Sequence, residues 1–280
     1  MMLQSPPTLK SLLLPELSTY LLLDFTPKLS EQLYQCSPSP VFVPLFQDTQ
    51  LHELSAQSPV LIPISQEQEL YQSFTQTPDR WPGLLLQTSA SQPELLASLR
   101  RALLVRFDGI RRAVLRYYDP RVASYFFPAC TAEDLRNWFN PVQGIAWHGA
   151  TWAEESIQGK YWQAVHNPPQ VSMRRQTGEP CLTEHQEQTL SRMDCERFVW
   201  GWCQKAGQTA FAAASHYLEE GLSLGLEDSE ILSEFLTLRA AHPLAELPSP
   251  TMVSGDELNR MKLIRSHMER APLSNMEKLA

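Results

Sequence analysis

Three side chains in this sequence have types and positions that could do chemistry. Asp24 follows an apolar run, which is where α/β enzymes often hold a catalytic carboxylate. Cys130 precedes a helix start at Thr131, and a helix N-terminus can lower the pKa of a thiol. His148 has a side chain suited to general acid–base catalysis. An α/β enzyme that uses Asp24, His148 or Cys130 is therefore one hypothesis, although a turn or cap role is favoured for a lone carboxylate.

The motifs that usually mark an active site do not occur in the sequence. It has no phosphate-binding P-loop, dinucleotide-binding glycine turn, nucleophile elbow or zinc-protease helix. The side chains of His148, His166, Cys181 and His185 do not have the spacing of a compact zinc site. The five cysteines form no C-x-x-C pair, which is typical of reduced thiols. We therefore expect a protein without catalytic residues, metal or cofactor.

Arginines are concentrated in one short stretch that contains no lysine: Arg100, Arg101, Arg106, Arg111, Arg112, Arg116 and Arg121. The planar guanidinium pairs well with carboxylates, partner proteins and phosphates. Internal pairing with acids such as Asp108 and Asp119 is one interpretation, and a protein-partner surface is another. Nucleic acid is disfavoured, because residues 93–180 have a net charge of +3 while the flanking segments have −5 and −6.

The elements that must position these residues begin with four apolar runs: Tyr20–Phe25, Val41–Phe46, Val60–Ile64 and Leu84–Gln87. Continuous apolar patterning predicts strands that are covered on both faces. Capping boxes at Ser91 and Thr131 predict helices that begin at these two residues. Residues 1–180 are thus predicted to form an α/β (α+β) domain, a mixed sheet with covering helices, with Pro44 and Pro63 at edges or bulges. The segment 147–166 is expected to form two strands joined by a mobile loop.

In residues 181–280 the apolar side chains recur at helical spacing, and this pattern predicts a helical lobe. Thr183 and Gln186 form a capping box before an apolar stripe at helical spacing, and three further helices follow. The tail after Pro272 is expected to fray. Pro168–Pro169 and the stretch 174–180 predict a linker, so we place the domain boundary near residue 180.

Composition excludes several classes of protein. The chain has 280 residues, 43% of them hydrophobic, which is enough for a substantial core, and its formal net charge is −8. The most apolar N-terminal stretch, from Leu12 to Phe25, is interrupted by Pro15, Glu16 and Asp24. This pattern predicts neither a signal peptide nor a membrane span, and we expect a cytoplasmic protein.

The most specific segment of the sequence runs from Arg112 to Val122 and reads RAVLRYYDPRV. On a strand from 112 to 118, Arg112, Val114, Arg116 and Tyr118 would share one face. Asp119 could cap the following turn or pair with Arg116 or Arg121. Either a buried Arg–Asp network or direct contact with a partner fits this pattern. Aromatic side chains at 138, 147, 152, 161 and 162 could be exposed anchors or core residues.

Together with Phe127-Pro128, the helix from Thr131 to Leu135 and the WFNPV segment at 138–142, this block resembles the signature of a bacterial family, domain of unknown function 4123. Residues 20–24 resemble the opening strand of that family, and residues 81–86 with the Ser91 helix resemble its next strand and helix. The resemblance covers about residues 18–145. Pro82 and Asn140 replace glycines of the pattern, and Phe25 stands where a small residue is common, so the resemblance does not specify the shapes of these loops.

The resemblance implies an adaptor, or effector chaperone, of the type VI secretion system. Such a protein is cytoplasmic, binds a toxic effector and promotes its loading on the VgrG spike. It implies two protein partners, the secreted effector and VgrG, with neither nucleic acid nor membrane among its ligands. The residues that we expect to contact a partner are Arg112, Arg116, Tyr118, Asp119, Arg121, Trp138, Trp152 and Trp162.

Overall fold

The computed structural model describes residues 8–167, 178–207 and 209–277, without the side chains of residues 250 and 270–277. The predicted linker residues at 168–177 lie outside the described part of the chain. Contacts between Cα atoms divide the chain into two compact units, Met1–Met193 and Asp194–Ala280. The division falls inside a helix, whereas the sequence placed the boundary near residue 180.

The strands all belong to the first unit: β1 (Ser18–Leu23), β2 (Val43–Pro44), β3 (Val60–Pro63), β4 (Gly83–Thr88), β5 (Leu104–Phe107), β6 (Arg111–Val114), β7 (Gly144–Gly149) and β8 (Tyr161–His166). The helices of this unit are α1 (Leu9–Leu12), α2 (Leu29–Cys36), α3 (Gln68–Gln76), α4 (Gln92–Arg101), α5 (Pro120–Phe126), α6 (Ala132–Phe139) and α7 (Trp152–Gln158). A long helix, α8 (Glu184–Ala206), begins in the first unit. The fold is α+β, as the sequence predicted.

Six strands form the main sheet in the order β2-β3-β1-β4-β7-β8, and each neighbouring pair is antiparallel. The prediction of a mixed sheet was therefore wrong in strand direction. Continuous apolar runs indicate that both faces are buried, and burial does not specify whether strands are parallel. Pro44 lies on the edge strand β2, as expected, and Pro63 is the last residue of β3.

Two hydrophobic clusters cover the opposite faces of this sheet. Alternate residues of β1 show the division, because Leu22 packs in the cluster that contains α4, α5 and α6, while Leu21 and Leu23 pack with α2 and α3. The Ser91 and Thr131 capping boxes are both formed, at the starts of α4 and α6. Both faces are thus closed by helices, which leaves the strand ends and the edges as the accessible parts of the sheet.

The strand predicted over residues 112–118 is shorter than expected. β6 ends at Val114, and among the described strands it pairs with β5 alone, in a separate two-stranded hairpin. Tyr117 and Tyr118 follow in a turn and are buried, with the Tyr117 hydroxyl donating to the Leu99 carbonyl at 2.9 Å. Because both tyrosine rings are buried, Tyr117 and Tyr118 do not alternate between the two faces of a strand as the sequence pattern predicted. In the segment 147–166, the two predicted strands are joined by α7 rather than by a loop.

The second unit is helical, as predicted. It contains most of α8 together with α9 (Phe211–Ser223), α10 (Ser229–Ala241) and α11 (Glu257–Glu277). The capping box of α8 is present, since Gln186 N donates to the Thr183 hydroxyl and the Gln186 side chain accepts from Thr183 N. Phe235 and Ile264 are fully buried in the core of this unit. Helix α11 continues beyond Pro272, where the sequence predicted fraying.

Candidate binding site at one end of the sheet

Four strand termini meet at one end of the main sheet because the strands are antiparallel neighbours. Leu23 pairs with Gly83, Leu84 with Trp147 and Gly149 with Tyr161. The residues next to these termini form an ion-pair network with the RYYDPRV segment and with α7. We call this network the sheet-end cluster, and it consists of Asp24, Asp79, Arg116, Asp119, Arg121, His148, Glu155 and Lys160.

Asp24 is the most deeply buried member of the sheet-end cluster, with 6% of its surface exposed. Its Oδ2 accepts from Arg116 Nη2 at 2.7 Å, and its Oδ1 accepts from the Phe25 backbone N–H at 2.8 Å. Burial raises the pKa of Asp24, and the Arg116 charge opposes that rise. The Arg116 side chain is half exposed, so this pair joins a buried carboxylate to a solvated guanidinium.

Asp119 holds the corner between the β5–β6 hairpin and α5. Its Oδ1 accepts from the Arg121 backbone N–H at 2.8 Å, which caps α5, and its Oδ2 lies 3.9 Å from Arg116 Nη2. Pro120 occupies the first helical position, where no N–H is needed. Both roles predicted for Asp119, cap and ion pair, are present. An Arg–Asp network is therefore present, as one of the two interpretations had it, but it is only partly buried because the Arg116 side chain is half exposed.

Arg121 is bonded on three sides. Its guanidinium donates to the Ala150 carbonyl and to the Glu155 carboxylate, and it lies 3.7 Å from the centroid of the Trp152 ring. A capping box between Thr151 and Glu154 fixes the start of α7 and therefore the positions of Trp152 and Glu155. Since one face of the indole is occupied by Arg121, Trp152 is held within the cluster and has only partial exposure to a partner.

A small cavity of about 120 Å³ opens beside the cluster, lined by residues that include Asp79, Asp119, Arg121, His148 and Lys160. Lys160 Nζ donates to Asp79 at 2.9 Å, and this bond lowers the pKa of Asp79. Burial lowers the pKa of His148, whose Nδ1 lies 3.8 Å from Asp79. Small-molecule sites usually enclose about 300–1,000 Å³, so this cavity suits one polar side chain rather than a cofactor.

The residues predicted to contact a partner fall into two groups. The first group retains some exposure and contains Arg112, Arg116, Asp119, Arg121, Trp152 and Trp162, the last on the edge strand β8. Tyr118 and Trp138 are core residues, with 3% and 5% of their surface exposed, which corrects their prediction as contact residues. The ring of Trp138 packs 5.2 Å from that of Phe126, and Trp147, another candidate anchor, is also buried. The sequence left open whether the aromatic side chains at 138, 147, 152, 161 and 162 are exposed anchors or core residues, and for Trp138 and Trp147 the structure shows core packing.

The candidate nucleophile Cys130 is not activated. Burial raises the pKa of its thiol to about 12, and Sγ lies 3.3 Å from the Phe126 carbonyl. The expectation that the helix N-terminus could lower this pKa was wrong, because loss of hydration raises the pKa most and the negative charge of Asp134 raises it further. His148 contacts Asp79 and the Trp162 ring, and Asp24 contacts Arg116. Among the described residues, His, Cys, Asp and Glu side chains form no group of three that could hold a metal ion.

Sequence reasoning missed Asp79, Glu155 and Lys160. Asp79 lies in a short 3-10 turn before β4, and Lys160 precedes β8, so their contact depends on the pairing of β4, β7 and β8. A signal for Glu155 existed, since it follows the capping box at Thr151 and a first helical turn favours acids. Nothing in the local sequence joins these three residues to Arg121.

Comparison with known proteins gives a match over part of the chain. No curated protein and no solved structure matches the sequence. No helix in the described residues has both the length and the apolar character that a bilayer span requires. The segment that supplies Asp24, Asp79, Arg116, Asp119 and Arg121 to the sheet-end cluster, residues 19–137, is similar to the family described as Domain of unknown function (DUF4123).

Proposed function

We propose that this protein is an adaptor, or effector chaperone, of the bacterial type VI secretion system. In the cytoplasm it binds a cognate toxic effector and promotes the loading of that effector on the VgrG spike. The observation that carries the proposal is the family match, which covers residues 19–137 and includes the whole RYYDPRV segment, residues 116–122, together with the strand and helices that surround it. No bond is made or broken in this role, and nucleic acid and membrane are not ligands.

The state of the ionisable groups supports binding over catalysis. Asp24 is paired with Arg116, Arg121 with Glu155, and Asp79 with Lys160. A general base or nucleophile must be free to exchange a proton or attack a substrate, and these groups are instead engaged with one another. The cavity beside them is smaller than a typical substrate site. We therefore interpret the sheet-end cluster as a structural corner of the fold that supports a binding surface.

An adaptor acts by binding two proteins at once. Joining effector and spike through one chain raises their effective concentration, so weak separate contacts become a stable ternary complex. This mechanism needs exposed groups rather than an enclosed site. The first unit offers such groups on the β5–β6 hairpin, where Arg111 and Arg112 are exposed.

Co-expression pull-down tests the proposal. The tagged chain is expressed with the effector and the VgrG protein encoded by neighbouring genes, and we expect both to be retained together. Effector–VgrG association measured with and without the chain should rise when the chain is present. Retention of neither protein by a chain that is folded by circular dichroism would overturn the adaptor role. If the chain retains neither protein but binds DNA with an affinity that falls steeply as the salt concentration rises, a nucleic-acid ligand is supported instead.

The enzyme alternative has its own test. The purified chain is screened for hydrolysis of the effector or of small ester, amide and phosphate substrates, alongside the His148→Gln variant. We expect no turnover by either protein. Turnover that is lost in His148→Gln, with an unchanged thermal transition, would replace the adaptor role by a catalytic one.

A further inference from the structure

The β5–β6 hairpin has one closed edge and one open edge. On the outer side of β5, Arg106 N donates to the Pro180 carbonyl and Leu182 N donates to the Arg106 carbonyl, both at 2.8 Å. The backbone groups of Arg106 therefore point away from β6. Because Arg106 pairs with Arg112 in the antiparallel register, the backbone groups of Arg112 also point away from β5.

The same alternation applies two residues further along β6. Val114 pairs with Leu104, so its N–H and C=O point outward like those of Arg112. Within the described part of the chain, no hydrogen bond reaches these four backbone groups. All four residues of β6 are exposed. Two outward-facing residues at this spacing form the template that an added strand requires.

The side chains of the hairpin favour one kind of strand. Ile110 at the tip is 89% exposed and Val114 is 38% exposed, which gives apolar surface at each end of β6. Arg111 lies between them, and its guanidinium is largely solvated, 3.6 Å from the equally exposed Asp108 carboxylate. Arg112 is bonded to Glu179 and to Gln50 Oε1. Arg111 is thus the guanidinium on this edge with most capacity for a new carboxylate.

From this edge we infer that β6 accepts an extended segment of a partner protein in which acidic and β-branched residues alternate. Its backbone bonds to Arg112 and Val114, its acidic side chains lie beside Arg111, and its apolar side chains lie beside Ile110 and Val114. The inference depends on the proposed function for the identity of the partner, effector or spike. It adds the surface and the chemistry of recognition.

A second copy of the chain fits this edge poorly. Pairing of two β6 edges brings the Arg111–Arg112 pair of one copy opposite or diagonal to that of the other. Like charges at such positions destabilise a strand pair, and arginines on an edge commonly prevent self-association for this reason. An acidic partner strand removes the repulsion and gains an ion pair, so charge complementarity selects the partner over the homodimer.

The first experiment tests the edge directly. A short synthetic peptide of alternating Glu and Val is titrated into the 15N-labelled full chain, with the matching Lys and Val peptide as control. We expect amide shifts confined to residues near 110–114, and exchange of the Arg112 and Val114 amides slowed by about tenfold or more by the Glu peptide alone. Shifts elsewhere, or an equal response to both peptides, would overturn the inference. A concentration-dependent dimer with protected β6 amides would also overturn it, in favour of self-pairing.

Two variants with a matched control extend the test to the partner. Val114→Pro removes an outward N–H that β5 does not use, and Val114→Thr keeps that donor and the branched shape. We expect Val114→Pro to weaken peptide binding by about fivefold or more, and Val114→Thr to leave it unchanged. Arg111→Glu should abolish the preference for the acidic peptide while the thermal transition is unchanged.

The same variants separate failure of this inference from failure of the adaptor role. If Val114→Pro loses an effector or spike that Val114→Thr retains, the edge is the docking surface. If both variants retain both proteins, the edge inference is wrong and the adaptor role stands. If the wild-type chain retains neither protein, the adaptor role falls and the peptide titration alone decides the edge.

Discussion

The sheet-end cluster and the β5–β6 hairpin are built from the same arginine-rich stretch but use arginine in opposite ways. In the cluster, Arg121 is largely buried against Glu155 and Trp152, and Arg116 reaches a buried carboxylate at Asp24. On the hairpin, the Arg111 side chain is largely solvated and forms an ion pair with an exposed acid, Asp108, at 3.6 Å. The difference shows that the burial of the partner carboxylate decides whether an arginine fixes the fold or remains available.

The buried arginines of the cluster and the exposed arginines of the hairpin lie only a few residues apart in the sequence. β6 ends at Val114, and the following turn buries Tyr117 and Tyr118 in the core. That turn brings Arg116 and Asp119 to the end of the main sheet and leaves Arg111 and Arg112 on the hairpin. Substitutions on either side of this turn should therefore differ sharply in their effect on stability.

The largest effect is expected for Arg121→Ala. The change leaves the Glu155 carboxylate without its partner and removes the guanidinium from the Trp152 ring, so the free energy of unfolding should fall by about 2–3 kcal/mol. Chemical denaturation measures this loss. Arg121→Lys is the control, and it should recover only part of the stability because an ammonium cannot bond in a planar fork. An unchanged stability in Arg121→Ala would show that the cluster is not a structural corner.

Arg116→Ala should cost less at neutral pH, about 1–2 kcal/mol, because the Arg116 side chain is half exposed. Burial already raises the pKa of Asp24, and loss of Arg116 should raise it further. A carboxyl with a raised folded pKa loses stability as pH rises from its unfolded pKa to its folded pKa. The loss of stability in Arg116→Ala should therefore increase over that interval and disappear in acid. Denaturation at several pH values measures this change.

The double variant Asp24→Asn with Arg116→Ala is the matched control for this prediction. A neutral amide needs no counter-charge, so the second change should restore part of the lost stability and remove its pH dependence. A deficit in Arg116→Ala that is constant from acid to neutral pH would mean that Asp24 is not the group responsible.

A smaller effect is expected for Lys160→Ala, below about 1 kcal/mol, because Asp79 is largely exposed. The bond from Lys160 lowers the pKa of Asp79, so its contribution is present above the unfolded pKa and is lost as pH falls through the folded pKa. NMR titration should show the pKa of Asp79 rising toward its ordinary value in the variant. The pKa of His148 should also rise, since Lys160 helps to lower it, and Lys160→Arg should preserve both values.

The smallest effect on stability is expected for Arg111→Ala, within about 0.5 kcal/mol of wild type. Arg111 and Asp108 are both largely solvated, and such pairs contribute little and are screened by salt. Thermal denaturation at low and high salt measures the difference, with Asp108→Ala as the reciprocal control. A loss comparable to that of Arg121→Ala would remove the distinction between the two regions.

Local sequence determined many of the elements correctly. The capping boxes at Ser91, Thr131 and Thr183 all form, and the helical period after residue 183 gives the helices of the second unit. These features depend on residues a few positions apart, so they can be read without the fold. The sequence also identified Asp119 as a cap and an ion-pair partner, because its donors lie within a few residues.

Tertiary structure alone decided which side chains meet across the sheet. The contacts of Arg116 with Asp24, Arg121 with Glu155 and Lys160 with Asp79 join residues far apart in the chain, and they depend on the register of β1, β4, β7 and β8. Strand direction was likewise undetermined, because an apolar run reports burial but not the orientation of its neighbour.

Burial was the other property that the sequence left open. Trp138 and Trp162 have the same side chain, yet Trp138 lies in the core and Trp162 lies on an edge strand. Residue type and spacing specify that a side chain can pack, whereas solvent exposure is a property of all the elements assembled around it. The sequence therefore determined most helices and most strands, and it showed the resemblance that the family match supports over residues 19–137. The assembled sheet determined which arginines are bound and which remain exposed.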